Sequence, residues 1–430
     1  MSGAGLIGLA VFVLGVLGSI ALHEVGHLIP AKRFGVRVTQ YMVGFGPTMW
    51  SRVRGETEYG VKAIPFGGYI RMVGMFPARR NPQGELVLAA SSTGPFQSMI
   101  EDARRSSAEE IQAGEEHRAF YQLPVHQKLV VMLGGPTMNL FLAALLYTVA
   151  LVLLGVPTLT TTVNTVAPCV PSNVEATCTD NDPQSPAAAA GVEAGDVVVA
   201  VDGVAYDDWL AIVDVVRAQP GKEILLTVER NGSTLDLPVT VGSTQVPDPD
   251  DPTQEITAGF IGLSPSIEQQ QTSITAVPER MWEFVYRSGQ AIVSIPSKMV
   301  GVWQAAFSDE KRDPTGPVSV VGVGRFSVAV AEDQATVSWK VANWLTLLAA
   351  LNMALFFFNL IPLLPLDGGH VAGALYEGAR RKIARIRGRP DPGPVDVAKM
   401  LPVAYTVAFL LIGMSVLLIY ADIVNPISLS

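Results

Sequence analysis

Two histidines and a glutamate have the spacing of a hydrolytic metal site. The stretch His23-Glu24-Val25-Gly26-His27 has the form H-E-x-x-H. Residues four apart share one face of a helix, so His23 and His27 can direct their ring nitrogens at one metal ion. Glu24 is adjacent and can act as general base toward a water that the metal activates. The pattern therefore predicts a Zn²⁺ site with Glu24 as the catalytic base.

A zinc site of this kind needs a third protein ligand, and the sequence offers several candidates. Asp367 and His370 lie together at the end of a long apolar stretch in the second half of the chain. His117 and His126 lie in a polar segment of the first half. Spacing alone does not choose between Asp367 and His370.

The elements that must carry these residues are membrane spans. Hydrophobic residues make up 49% of the 430 residues and charged residues 16%, against about 25% charged in soluble domains. This composition excludes a disordered chain, and the net charge of −9 gives no basic excess for nucleic acid. Four windows without any Asp, Glu, Lys or Arg are long enough to cross a bilayer, and they cover 6–22, 129–156, 341–366 and 401–420.

The charges between these windows predict an orientation. Residues 29–128 carry a net charge of +4, residues 157–340 carry −14, and residues 371–400 carry +4. Lys and Arg mark the cytoplasmic side of a membrane protein. The pattern therefore predicts that both basic segments lie inside and the acidic segment lies outside.

Several motifs together resemble those of the site-2 protease family of intramembrane zinc metalloproteases, of the bacterial RseP type. H-E-x-x-H is joined to N-x-x-P-x-x-x-x-D-G, which begins at Asn359 and contains Pro362 and Asp367. Four shorter stretches match the family as well, namely G-F-G-P at 44–47, P-x-G-G-Y at 65–69, G-P-x-x-N at 135–139 and G-P-V-S at 316–319. The resemblance covers nearly the whole chain, and it implies that Asp367 rather than His370 is the third zinc ligand.

The resemblance also implies a β-sheet beside the active site. Residues 36–43 and 59–64 alternate apolar and polar side chains imperfectly, which predicts strands. A peptide bond inside a transmembrane helix must be unwound before it is cleaved, and a sheet edge offers backbone partners to the unwound strand. We predict substrate contacts at Gly67 and Gly68 in this sheet, and at Asn359 and Pro362 near the metal.

The acidic outer segment predicts a small folded domain. Strand patterns at 161–166 and 196–201, helical patterns at 185–192 and 209–218, and a hairpin at Asn231-Gly232 are similar to the PDZ domains of bacterial proteases. Peptide-end binding and exclusion of bulky substrates are both compatible with it. Its two cysteines, Cys169 and Cys178, form either a disulfide or two free thiols.

The predicted fold class is a polytopic α-helical membrane protein with four transmembrane helices, a membrane-associated β-sheet and an inserted α+β PDZ domain. The expected domain limits are a first transmembrane helix at 1–30, the sheet at 31–76, a flexible cytoplasmic insertion at 77–125, a second transmembrane helix at 126–157, the PDZ domain at 158–265, an extracytoplasmic helical region at 266–340, a third transmembrane helix with the L-D-G motif at 341–375, a basic loop at 376–400, and a fourth transmembrane helix with its tail at 401–430.

The predicted function is zinc-dependent intramembrane proteolysis in a bacterial plasma membrane. The resemblance implies single-pass membrane proteins as substrates, such as anti-sigma factors already cut by another protease, or remnant signal peptides. A metal-dependent transporter or channel is the alternative, and it would need polar side chains through the depth of the spans. The windows contain few of them, and among these are Ser19, Asn139, Thr148, Asn343, Thr346, Asn352 and Asn359.

Overall fold

The computed structural model describes residues 2–77, 97–112, 114–169, 183–247, 255–308, 312–313 and 316–427. The chain forms two compact units. The helical unit comprises Met1–Leu153 and Thr272–Ser430, and the inserted unit comprises Leu154–Gln271.

Four helices of the helical unit are long and apolar enough to cross a membrane, which confirms the four predicted spans. They are α1 (Gly3–Arg33), α3 (Val125–Val149, continued by a π-helical turn at Ala150–Leu154), α8 (Val337–Leu360) and α10 (Leu401–Val424). The side chain of Ser2 caps α1 by accepting the N–H of Gly5 at 3.0 Å. Lys32 and Arg33 lie in the last turn of α1, where the helix dipole favours positive charge.

Four further helices belong to the same unit, namely α2 (Gln97–Glu109), α6 (Val277–Phe307), α7 (Val320–Glu332) and α9 (Asp367–Ile386). The third span ends at Leu360 and does not continue to residue 366. Pro362 lacks an N–H for the helical ladder, so the chain leaves the helix there. It re-enters a helix at Asp367, which places this carboxylate at the start of α9.

The predicted membrane-associated sheet is one antiparallel pair, β1 (Val38–Arg54) and β2 (Thr57–Met72). Both strands are longer than the alternating pattern indicated. Tyr41 pairs with Tyr59 and also with Ile70, because β2 bends back along the other side of β1. Gly44 lies inside β1 with φ +92°, where a side chain would meet the carbonyl oxygen of Ile64.

Part of the expected flexible insertion is ordered against this sheet. Ser107 of α2 bonds through its hydroxyl to the backbone N–H and C=O of Phe76, each at 3.2 Å. Arg71 of β2 donates to Glu110 at 2.9 Å, and the ring of Phe120 is buried beside the sheet. These contacts give the described residues 97–112 and 114–122 a packed structure that their polar composition did not indicate.

Helices α1 and α3 approach each other closely at two glycines. A Cβ atom on Gly26 would overlap the carbonyl of Gly134, and a Cβ on Gly134 would overlap the carbonyl of Gly26. Small residues allow helix backbones to touch in this way within a membrane. One turn before His23, Ser19 of α1 accepts the side-chain N–H of Asn352 in α8 at 2.8 Å. The first span is thus fixed to α3 by backbone contact and to α8 by a hydrogen bond.

The inserted unit is an α+β fold with two helices, α4 (Pro186–Ala189) and α5 (Trp209–Arg217). Its strands are β3 (Val156–Val166), β4 (Val197–Val201), β5 (Val204–Ala205), β6 (Glu223–Arg230), β7 (Ser233–Thr240), β8 (Gly242–Pro247), β9 (Glu255–Phe260) and β10 (Leu263–Gln270). The main sheet has the order β10-β3-β4-β6-β7. Alternate residues of β6 are buried against Trp209 and Ile212 of α5 in one core.

The hairpin predicted at Asn231-Gly232 joins β6 and β7, and both residues have positive φ as a two-residue turn requires. The assignment of this unit as a PDZ domain stays a prediction. Cys169 is buried and forms an isolated β-bridge with Gln184. Cys178 lies outside the described residues, so its disulfide with Cys169 also stays a prediction.

Candidate metal centre

Three side chains from two distant parts of the chain converge in the helical unit. His23 and His27 come from α1, and Asp367 is the first residue of α9. The two Nε2 atoms lie 3.2 Å apart, and Oδ2 of Asp367 lies 3.3 Å from Nε2 of His23 and 3.2 Å from Nε2 of His27. The three atoms thus form a nearly equilateral triangle.

This triangle has the size of one face of a zinc coordination tetrahedron. Zn–N and Zn–O bonds of about 2.0–2.1 Å at tetrahedral angles separate neighbouring ligand atoms by about 3.3 Å. Oδ2 of Asp367 is buried, and no hydrogen bond satisfies it in the described part of the chain. Two imidazoles and one carboxylate are also ligands that zinc takes in catalytic sites. The residues present therefore fit a zinc ion with a fourth position left for water.

Helix α3 supplies an outer partner to each histidine. Nδ1 of His27 lies 2.8 Å from the carbonyl oxygen of Val131 and donates its proton there. Nδ1 of His23 lies 3.0 Å from the side-chain amide of Asn139. A proton on Nδ1 leaves Nε2 with a free lone pair, as a metal ligand needs.

Gly135, between these two partners in α3, lies directly against both rings. A Cβ atom at this position would overlap Nε2 of His27 and come within 2.7 Å of Nε2 of His23. Val131, Gly135 and Asn139 are spaced by four and share one face of the helix. This face of α3 packs against the rings of both histidines. Only glycine at position 135 leaves room for the two rings.

The first turn of α9 places Asp367 in the group and His370 outside it. A side chain at Gly368 would overlap the carbonyl of Ile361, and one at Gly369 would meet the backbone of Leu364. The loop before α9 therefore packs directly on the helix start. His370 lines a separate small cavity beside Lys128 and Glu377. Among the described residues, His370, His117 and His126 are absent from the cluster of metal-ligating side chains.

Glu24 lies on α1 between the two histidines and faces β2. Its side chain packs against Gly68, where an added Cβ would lie 3.1 Å from Cγ of Glu24. The backbone N–H of Ile70 donates to its carboxylate. Tyr41 of β1 donates its hydroxyl to the carbonyl of Ala21 at 2.8 Å. Burial, together with the charge of Glu24, raises the pKa of Tyr41 to about 12, so it remains a donor at neutral pH.

An apolar cavity of about 1050 Å³ runs along α1 toward the sheet. Helices α1, α7 and α8 line it with aliphatic side chains such as Val16, Val321 and Leu355. Pro65 and Gly67 of β2 close it at one end, and Ile20, one turn before Glu24, lines it there. The cavity thus leads from a lipid-like environment to the neighbourhood of Glu24.

The four residues predicted to contact substrate fall in different places. Gly67 lines the apolar cavity, and Gly68 packs against Glu24. Pro362 lines another cavity, of about 640 Å³, together with Arg380 and residues 392–403. Asn359 lies in the last turn of α8, half-buried, and no hydrogen bond joins it to the metal ligands within the described residues.

Two features of the site were not assigned from sequence. Asn139 was visible only as one of several polar residues in the spans, and Gly135 only as part of the G-P-x-x-N stretch. Their positions next to His23 depend on the packing of α3 against α1, which local patterns do not report. The signal that the sequence offers is an amide within an apolar span, where polar side chains are rare.

The fold and site together define a class, a polytopic membrane metallohydrolase built on an H-E-x-x-H helix. The chain belongs to peptidase family M50, whose sequence pattern matches residues 11–390. This confirms the resemblance seen in the motifs. The chain is 35% identical to the zinc metalloprotease Rip1 of Mycobacterium tuberculosis over 438 residues, covering 98% of each protein.

Two more distant relatives cover most of the chain. The zinc metalloprotease RasP of Geobacillus kaustophilus is 26% identical over 416 residues, which are 86% of this chain and 89% of the relative. The metalloprotease MmpA of Caulobacter vibrioides is 26% identical over 395 residues, or 87% of each protein.

Proposed function

We propose that this protein is a zinc-dependent endopeptidase that cleaves other proteins within the membrane. The observation that carries the proposal is the triangle of His23, His27 and Asp367 with Glu24 beside it, held by helices that can span a bilayer. Membership of peptidase family M50 and relatives named as zinc metalloproteases support it.

In this proposal His23, His27 and Asp367 hold the zinc ion. When bound, zinc polarises the scissile carbonyl and acidifies a water. Glu24 takes the proton of that water and later passes it to the leaving amine. The backbone N–H of Ile70 holds the carboxylate of Glu24 in place, and Gly68 leaves room for it.

The proposed substrate is a single-pass membrane protein. The cavity along α1 is lined mainly by aliphatic side chains, which suit a transmembrane helix, and it reaches Gly67 beside the sheet. At that end the backbone of β2 can pair with a segment that has unwound. Anti-sigma factors already trimmed by another protease, and remnant signal peptides, are the substrate kinds that we infer from the family.

The proposed location is the plasma membrane of a bacterium. We infer that the metal ligands lie toward the cytoplasm, because the basic segments 29–128 and 371–400 lie next to them in the chain and positive charge stays inside. The acidic inserted unit is then extracytoplasmic, where a PDZ-type fold would meet the outer part of a substrate.

Glu24→Gln tests the function in purified protein reconstituted into liposomes with a fluorescently tagged single-pass helix. We expect wild-type zinc content, measured by mass spectrometry, and cleavage slowed by about 10²–10⁴-fold, the usual contribution of a general base. Glu268→Gln, an exposed carboxylate on β10, is the matched control and should cleave normally. Cleavage by Glu24→Gln at the wild-type rate would refute the mechanism. Zinc flux across the same liposomes would support a transporter instead.

A further inference from the structure

Asn139 has surroundings that differ from those of the other buried amide described in the spans. Its side chain is fully buried in α3, and its Nδ2 lies 3.0 Å from Nδ1 of His23. Its Oδ1 is also buried and has no hydrogen-bond partner in the part of the chain that the structure describes. Asn352 of α8 is equally buried and its Oδ1 likewise lacks a partner among the described residues, but its Nδ2 donates to Ser19 and to the carbonyl of Leu348. Asn139 alone of the two touches a proposed metal ligand.

We propose that Asn139 is a positioning residue for the metal, and that its amide oxygen accepts the Nδ1 proton of His23. The inference rests on the proposed zinc site. Nε2 of His23 faces Asp367 and His27 within the ligand triangle, so Nε2 must carry the lone pair. A neutral imidazole has one N–H, which then lies on Nδ1 and needs an acceptor.

The amide of Asn139 can provide that acceptor without moving its backbone. Rotation by 180° about the terminal side-chain bond exchanges the oxygen and the nitrogen at nearly the same positions. The oxygen then lies at hydrogen-bond distance from Nδ1 of His23. Either orientation leaves one amide atom without a partner, so the metal bound at Nε2 decides between them.

The two histidines differ in what fixes their tautomers. His27 donates to the backbone carbonyl of Val131, a partner that a substitution does not remove. His23 depends on a side chain, and a substitution at position 139 can abolish its acceptor. Loss of such an outer partner typically weakens metal binding about 10–100-fold. Zinc affinity should therefore respond to the hydrogen-bonding capacity of residue 139 and not to its size.

Two variants separate these properties in the full-length protein in detergent. Asn139→Leu keeps the number and branching of the side-chain heavy atoms but has no acceptor, whereas Asn139→Asp keeps an acceptor oxygen. Zinc affinity is measured by competition with a chelator, and ligand geometry by the absorption spectrum of the Co²⁺-substituted protein. Asn352→Leu is the matched control, because it removes a buried amide that does not touch a metal ligand.

We expect Asn139→Leu to bind zinc about 10–100-fold more weakly with an altered Co²⁺ spectrum, while Asn139→Asp and Asn352→Leu stay near wild type. Wild-type affinity in Asn139→Leu would overturn the inference. Equal weakening in Asn139→Leu and Asn139→Asp, or in Asn352→Leu, would overturn it too, because packing would then explain the loss. If the wild-type protein itself fails to bind zinc, the proposed function fails, and that result is distinct from these.

Discussion

Lys128 and Glu377, 249 positions apart in the chain, form a buried ion pair in which Nζ lies 2.9 and 2.8 Å from the two carboxylate oxygens. The pair joins α3 to α9. Helix α3 carries the partners of both histidines, and α9 begins with Asp367. The ion pair therefore fixes α9, which carries the proposed ligand Asp367, to α3, which holds the two histidines in place.

Lys128→Met is expected to lower the free energy of unfolding by about 3–5 kcal/mol, because it leaves the carboxylate of Glu377 buried without its main partner. The double variant Lys128→Met/Glu377→Leu should lose less, since no unpaired charge remains. Thermal unfolding in detergent measures both. Lys382→Met, at an exposed position of α9, is the control and should change stability by less than about 0.5 kcal/mol. The expectation fails if Lys128→Met behaves like Lys382→Met.

Asp367→Asn should remove most of the zinc from the purified protein, because a neutral amide replaces the only carboxylate of the triangle that the structure describes. His370→Gln is the comparison, since His370 lies three residues away and faces another cavity. Metal content per mole of protein is the measurement. If Asp367→Asn retains zinc and His370→Gln loses it, then His370 and not Asp367 is the third zinc ligand.

The inserted unit should lose stability in acid through Asp196. Its buried carboxylate accepts two hydrogen bonds from Arg230, both at 2.7 Å, and one from the N–H of Glu193 at 2.9 Å. These hydrogen bonds hold the pKa of Asp196 below its ordinary value, and those from Arg230 make the largest contribution. A carboxylate with a lowered pKa contributes its full stabilisation of the folded state when the pH is above the unfolded-state pKa of about 3.9. This contribution is lost as the pH falls from that value through the folded-state pKa.

Hydrogen exchange of β4 and β6 in the full chain, corrected for the intrinsic exchange rate, tests this dependence. Protection should decline below about pH 4 in the wild-type protein. Asp196→Asn should be less stable at neutral pH and should show a weaker decline. Asp207→Asn changes an exposed carboxylate of the same unit and should keep the wild-type profile. An unaltered profile in Asp196→Asn would show that another group governs the acid response.

Val16→Trp should slow cleavage of a membrane substrate while zinc stays bound. Val16 lines the apolar cavity along α1, so a larger side chain there fills space that an entering helix would occupy. Overpacking of this kind costs about 1–3 kcal/mol, which corresponds to a cleavage rate at least about fivefold lower. Leu14→Trp is the control, because Leu14 is 69% exposed and does not line the cavity. Equal rates for the two variants in liposomes would exclude this cavity as the substrate path.

Sequence reasoning identified the parts of the site that depend on local spacing. His23, Glu24 and His27 lie within five residues of one helix, so their grouping needs no knowledge of the fold. The four spans follow in the same way from the length of their apolar runs. The choice between Asp367 and His370 could not be made from spacing, because it depends on how the loop before α9 packs on Gly368 and Gly369.

Other features depended on contacts between distant segments. Helix α7 lies in the region 266–340, for which the sequence predicted helical structure without giving this helix its own bounds. Strands β1 and β2 extend beyond their alternating stretches because each pairs twice with its partner strand. The pairing of Asn139 with His23 is equally non-local. A single amide in an apolar span usually packs between helices, and only the three-dimensional packing distinguishes that role from a contact with a proposed metal ligand.

The touching backbones of α1 and α3 at Gly26 and Gly134 have a kinetic consequence. Two helices in such close contact cannot slide or rotate against each other without first separating. His23, His27 and the groups that orient them therefore move as one rigid body. Any movement that admits a substrate to Glu24 must therefore come from elements other than α1 and α3, such as β2, which packs against Glu24 at Gly68.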